Sequence, residues 1–182
     1  SMAVYRNQRL FSDYYLQELV PETSFWEDIK EEELQKAFDE IKSIYQKQKT
    51  TLRDLNESQL EERFIRPILR RLGHIYEVNV FLPRTYEGLK HPDYVFYNSE
   101  ETKRAGVSKA IAIGEAKRYG RPLDRKLKTE SDPFEVQNPS LQMSRYLWIS
   151  EVPWGILTDG RFWRLYERET SKRLDIFYEN DL

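Results

Sequence analysis

Apolar positions change period several times along this chain, and each change marks an element. Residues 9–19 carry apolar side chains at helical spacing and stop at Pro21. Ser24 and Glu27 form a capping-box pair, behind which Leu34, Ala37, Phe38, Ile41 and Tyr45 recur at the same spacing. Residues 1–50 therefore read as an N-terminal helical extension, packed on the main domain or offering its aromatics to other parts of a longer protein. Asn56, with Gln59 three residues on, opens the next helix. Its stripe is Leu60, Phe64, Ile65, Ile68, Leu69 and Leu72, and Gly73 ends it. Pro67 should kink this helix, because it cannot donate the bond back to Arg63. Short runs rich in aromatic and β-branched residues follow. They predict strands over 75–82, from Asp93 onward, and over 110–113, with polar 99–109 as a hairpin loop. Asn138-Pro139 is a cap and first position for another helix. Strands are then expected at 154–158, 162–166 and 175–178, with Asp159-Gly160 as a hairpin turn.

Composition narrows the class. A chain of 182 residues is long enough for one domain with a sizeable core plus an extension. Its net charge of −2 does not by itself advertise a nucleic-acid partner. Cysteine is absent, which excludes disulfides and thiolate metal sites, and two histidines argue against zinc. No apolar stretch approaches the roughly 18 residues of a membrane span. No membrane role and a cytoplasmic location are the expectations.

Candidate chemistry gathers between Pro92 and Lys117. Asp93 opens one apolar run, and Glu115 and Lys117 close another. Alternation along a strand points Glu115 and Lys117 to one side and Ala116 to the other. Two neighbouring strands would bring two carboxylates and an ammonium to the end of a sheet. Mg²⁺ takes oxygen ligands, usually one or two carboxylates with waters and phosphate oxygens. Asp93 and Glu115 would supply the carboxylates, the Ala116 carbonyl a third oxygen, and Lys117 a charge for the scissile phosphate. The same residue types also make ordinary surface salt bridges, so the surroundings decide. After Lys117 the chain is basic: Arg118, Arg121, Arg125, Lys126 and Lys128. That stretch is either a solvated loop or a phosphate-contacting surface. Residues 129–137 turn acidic again. Gln142 and Tyr146 share a helix face. Glu57 and Glu61 lie one turn apart near a helix start, where complementing the helix dipole is the simpler role.

Taken in order, these segments resemble the PD-(D/E)xK nuclease superfamily, and most closely the N-terminal nuclease domains of type I restriction subunits and type IIG restriction–methylation enzymes. NESQLEERFIRPILRRLGH is similar to the first core helix, HPDYVFY and IGEAK to the two catalytic strands, and LQMSRY to the Q-x-x-x-Y helix. WGILTDGRFWRLY is similar to a hairpin that usually reads TNG, with Asp159 a mild, structural departure. The resemblance covers residues 51–182. It implies an α/β fold with a restriction-endonuclease-like αβββαβ core: a mixed central sheet flanked by helices, with the site at one sheet edge. It implies Asp93, Glu115 and Lys117 as the metal and catalytic set, with Glu57 a further carboxylate and Glu61 and Glu62 its substitutes. Gln142 would orient the network or touch DNA, helped by Tyr146. The activity implied is hydrolysis of DNA phosphodiesters by in-line attack, leaving a 5′-phosphate, with one or two Mg²⁺ and with Mn²⁺ as a substitute. Double-stranded DNA is the implied partner, and two copies of the site would account for double-strand cutting. The chain has no methyltransferase glycine-rich loop, NPPY-type motif or Walker A pattern. Methylation and target recognition are therefore expected in downstream domains of a longer native chain. Rival expectations are a DNA-repair or phage-type nuclease of the same fold, a nonenzymatic DNA-binding or scaffold domain that keeps it, and a helical interaction module led by residues 1–50.

Overall fold

The computed structural model describes residues 5–8, 31–82, 91–125 and 138–182. The helix expected at 9–19, the Ser24/Glu27 cap, Lys126, Lys128 and residues 129–137 lie outside them. Helix α1 spans Glu31–Gln48. It buries Ala37, Ile41 and Tyr45, sets the Tyr45 ring 6.1 Å from that of Phe64, and pairs Glu40 with Arg71. Residues 1–50 are not all helical, however. Tyr5–Gln8 forms strand β1, held by pairing with the last strand, a long-range contact that local periodicity does not encode.

Helix α2 opens on the expected reciprocal cap: Asn56 Oδ1 accepts from Gln59 N–H at 2.8 Å, and Gln59 Oε1 accepts from Asn56 N–H at 3.1 Å. It comprises Glu57–Leu60, one π turn over Glu61–Ile65, and Arg66–Arg71. That wide turn stands where a sharp kink was expected. Placed just before Pro67, it accommodates the proline ring and the missing donor, and Arg66 N–H donates to the Glu61 carbonyl instead. Leu60, Phe64, Ile65, Ile68 and Leu69 are buried, whereas Leu72 at the end of the stripe is 44% exposed. Gly73 takes a φ of +73°, and the amides of Gly73 and His74 donate back to Arg70 and Leu69. This left-handed cap suits glycine.

Among the described residues, β1 and six further strands form one mixed sheet in the order β1-β7-β6-β5-β4-β3-β2. They are β2 Ile75–Val78, β3 Tyr94–Tyr97, β4 Ala112–Ala116, β5 Trp154–Thr158, β6 Phe162–Glu167 and β7 Phe177–Asp181. β4 and β5 pair in parallel, and the other neighbours are antiparallel. Several boundaries differ from the sequence reading: β4 runs from Ala112 to Ala116 where 110–113 was expected, and β7 extends to Asp181 beyond the expected 178. β2 stops early, where Asn79 takes a positive φ of 52°, and β7 starts later than residue 175. Residues 99–109 are not a plain hairpin loop. They hold helix α3, Glu100–Ala105, and a 3₁₀ turn, Val107–Lys109. Ser99 and Thr102 cap α3 reciprocally, with threonine in the place usually held by Glu or Gln.

Two cores sandwich the sheet. One face packs Tyr94, Phe96, Ala112 and Ala116 against α1 and α2. The other packs Val95, Tyr97, Ile113 and Leu157 against Met143, Tyr146 and Leu147 of helix α4, Pro139–Ser150. Asn138 Oδ1 caps α4 by accepting from Ser140 N–H at 3.0 Å. Helix α4 lies so close to β5 that a Cβ on Gly155 would collide with the Met143 sulfur. Gly155→Ala should lower stability by about 1–3 kcal/mol, the usual cost of overpacking. Urea denaturation checks this, and an unchanged midpoint would mean that α4 stands farther off. Among the described residues, no helix is long and apolar enough to cross a membrane.

Candidate active site

Register brings the acidic pair together. Tyr94 pairs with Gly114, Val95 with Ile113 and Phe96 with Ala112. Continued one step past its last pair, this register would set Asp93, in the bend just before β3, opposite Glu115, and the two carboxyls share a hydrogen bond. Directly opposed residues share a face, and like charges there repel. Asp93 is fixed in place because its Oδ2 accepts the Ala116 N–H at 2.8 Å. Ala116, whose carbonyl was expected as a third oxygen, is the fully buried last residue of β4.

Glu115 is 3% exposed and Lys117 8%. The Lys117 Nζ lies 3.9 Å from Glu115 Oε2. Lys117 is anchored through its backbone, where its N–H donates to the Thr158 carbonyl at 2.8 Å. Burial above all, then the facing Asp93 charge, holds the Glu115 carboxyl well above the usual carboxylate range. Lys117 pulls it down, while a hydrogen bond with Asp93 and the charge of Glu57 push it up.

Two helices reach this strand end from opposite faces. Helix α4 contributes Gln142 and Tyr146, both buried, with Gln142 Nε2 donating to the Tyr146 hydroxyl at 3.3 Å. Burial, then the charges of Glu115 and Asp93, push the Tyr146 hydroxyl up, and the Gln142 bond opposes this. Fully buried, Tyr146 belongs to the carboxylate network and not to a DNA-facing surface. From the other side, α2 brings Glu57 and Glu61. Burial, then Asp93, raise Glu61 to about 7; its hydrogen bond with Tyr94 and the Arg66 charge oppose, and Glu57 adds. Tyr94 in turn accepts from Arg66 Nε at 3.4 Å. The sequence reading weighted Glu57 above Glu61; the Asp93 charge acts on Glu61, and the Glu57 charge acts on both Glu61 and Glu115, so both helix carboxyls belong to this acidic cluster. Their one-turn spacing was visible in the sequence, but the depth of each was not.

Of the basic residues, Arg118 and Arg125 are exposed. Arg118 Nη2 donates to the Arg53 carbonyl at 3.4 Å. Arg121 is half-buried and folds onto its own turn, donating to the Pro122 carbonyl at 2.9 Å.

Among the described residues, no three acidic or histidine side chains form a ready metal-holding group. The donor set at the strand end is the two facing carboxylates of Asp93 and Glu115. It is oxygen-only, negative and only partly balanced by Lys117. Such a set fits a hard divalent cation that keeps several of its waters, as Mg²⁺ does. No known protein family, curated protein or solved structure matches this chain.

Proposed function

We propose that this chain is a metal-dependent DNA endonuclease domain of a restriction–modification enzyme, built on a restriction-endonuclease-like core. The observation that carries the reading is the meeting of the Asp93 and Glu115 carboxyls where β3 and β4 end, with the Lys117 ammonium 3.9 Å from Glu115. The element order α2, β2, β3, α3, β4, α4, β5, which is the expected order with α3 inserted, supports it. Asp93, Glu115 and the Ala116 carbonyl would hold Mg²⁺ or Mn²⁺, with Glu57 and Glu61 behind them. When bound, the ion offsets negative charge building on the phosphate and acidifies water. Lys117 places a cation where the scissile phosphate approaches, and burial strengthens its pull. Tyr146 and Gln142 wall the carboxylate network from the α4 side and exclude water there. Arg118 and Arg125, both exposed, would meet backbone phosphates of double-stranded DNA.

The test is supercoiled plasmid incubated with the purified chain. Nicked and linear products are expected with Mg²⁺ or Mn²⁺ and none with EDTA. Inertness with both metals overturns the reading. Cleavage that persists undiminished in Glu115→Ala assigns the activity to something other than this site.

A further inference from the structure

Asp159 lies in the β5–β6 turn and is 3% exposed. Its carboxylate accepts three backbone N–H groups. Oδ1 takes those of Arg161 at 3.1 Å and Phe162 at 2.8 Å, which close its own turn. Oδ2 takes that of Gly120 at 3.2 Å, 39 residues earlier in the chain. Gly120 sits in the turn that follows Lys117 and holds a φ of +80°. An asparagine could serve the β5–β6 turn with its one side-chain oxygen. Its NH₂ would then face the Gly120 N–H, donor against donor. The second carboxylate oxygen is thus the part of Asp159 that its own turn does not use. The neighbouring residue makes a parallel link, since the Thr158 carbonyl receives the Lys117 N–H at 2.8 Å. Both ends of the Lys117–Gly120 segment are therefore tied to Thr158-Asp159. A third tie, from the Tyr119 hydroxyl to that of Tyr45 at 3.0 Å, fixes its middle to α1.

We propose that Asp159 is a positioning residue. Through its bond to Gly120 it sets Lys117, and Arg118 and Arg121 after it, relative to Glu115. The catalytic part of this proposal rests on the nuclease reading, whereas the latch itself does not.

Asp159→Asn separates the two. Amide hydrogen exchange, followed by NMR, should quicken at Gly120 and Lys117 by at least about tenfold, while Arg161 and Phe162 stay protected. At equal folded fraction, kcat for plasmid nicking should fall about tenfold to a hundredfold, with KM for DNA nearly unchanged, as expected for a misplaced reacting group. A merely structural role would lower the folded fraction without this split. Unchanged exchange at either Gly120 or Lys117 overturns the latch, and quickened exchange at both with unchanged kcat overturns the positioning role. Should the wild-type chain cleave no DNA, the nuclease reading falls by itself. Exchange then decides: joint loss of protection at Lys117 and Gly120 upholds the latch, and retention at either overturns it.

Discussion

Lys117→Met is expected to cut the rate of DNA cleavage about a hundred- to a thousandfold, the usual cost of removing one preorganised charge from a reacting centre. Methionine keeps much of the lysine stem in a site that is 8% exposed, so packing survives and the charge does not. Lys117 also holds the Glu115 carboxyl down against burial and Asp93. Its loss should drive that carboxyl further up, and the variant should lose stability chiefly above neutral pH. Lys117→Arg should not restore the rate, because a planar fork on a longer stem does not reproduce a compact ammonium. Single-turnover plasmid nicking at matched protein concentration measures all three proteins. A Lys117→Met enzyme retaining more than about a tenth of the wild-type rate would remove Lys117 from the chemistry, given the cost cited above.

Glu115→Gln should abolish cleavage yet make the metal-free protein more stable. The sign follows from the direction of the shift. A carboxyl raised in the folded state contributes stability that is fully present below its unfolded value and lost as pH climbs through its folded one. Glu115 is raised by burial and by Asp93, and Glu61, raised to about 7, adds to the same trend. The wild-type protein should therefore lose stability as pH rises from about 4.5, the ordinary glutamate value. A glutamine at 115 removes the larger buried charge, so its advantage should widen toward pH 8. A gain there on the order of 5 °C is expected, since about 1 kcal/mol moves the melting point of a domain this size by roughly 2–4 °C. Mg²⁺ or Mn²⁺ should reverse the order by stabilising the wild-type protein and leaving the variant unmoved, as a ligand that binds only the folded state must. Thermal melts at pH 5 and pH 8, with and without metal, decide it. A less stable Glu115→Gln protein at pH 8 would mean that the carboxylate is satisfied where it stands.

What could be read from residues alone follows the range of the interaction. The caps at Asn56/Gln59 and Asn138-Pro139, the stop at Gly73 and the turn at Asp159-Gly160 depend on neighbours within a few positions, and all four are found. Helix α3 escaped because its cap uses Thr102, whose short side chain does not stand out as Glu or Gln would. The π turn before Pro67 escaped because a proline inside a helix signals a disturbance of the ladder but not the form it takes. Strand β1 has its partner at the far end of the chain, beyond any local pattern. At the site, alternation predicted that Glu115 and Lys117 would share a side, and they do. The meeting of Asp93 with Glu115 needed the strand register. The reach of Asp159 to Gly120 needed the tertiary fold, since nothing in TDG distinguishes a turn-former from a latch.

The pairing of Tyr5–Gln8 with Phe177–Asp181 also dictates an order of assembly. Joining segments so remote along the polymer costs more loop-closure entropy than any other pairing in this sheet. The hairpin β5–β6 and the β3–β4 ladder can zip first, whereas β1 has no partner until β7 has been made and has joined β6. Until β1 docks, β7 leaves its outer row of amides and carbonyls open to any passing strand, so aggregation during folding is concentrated on that border.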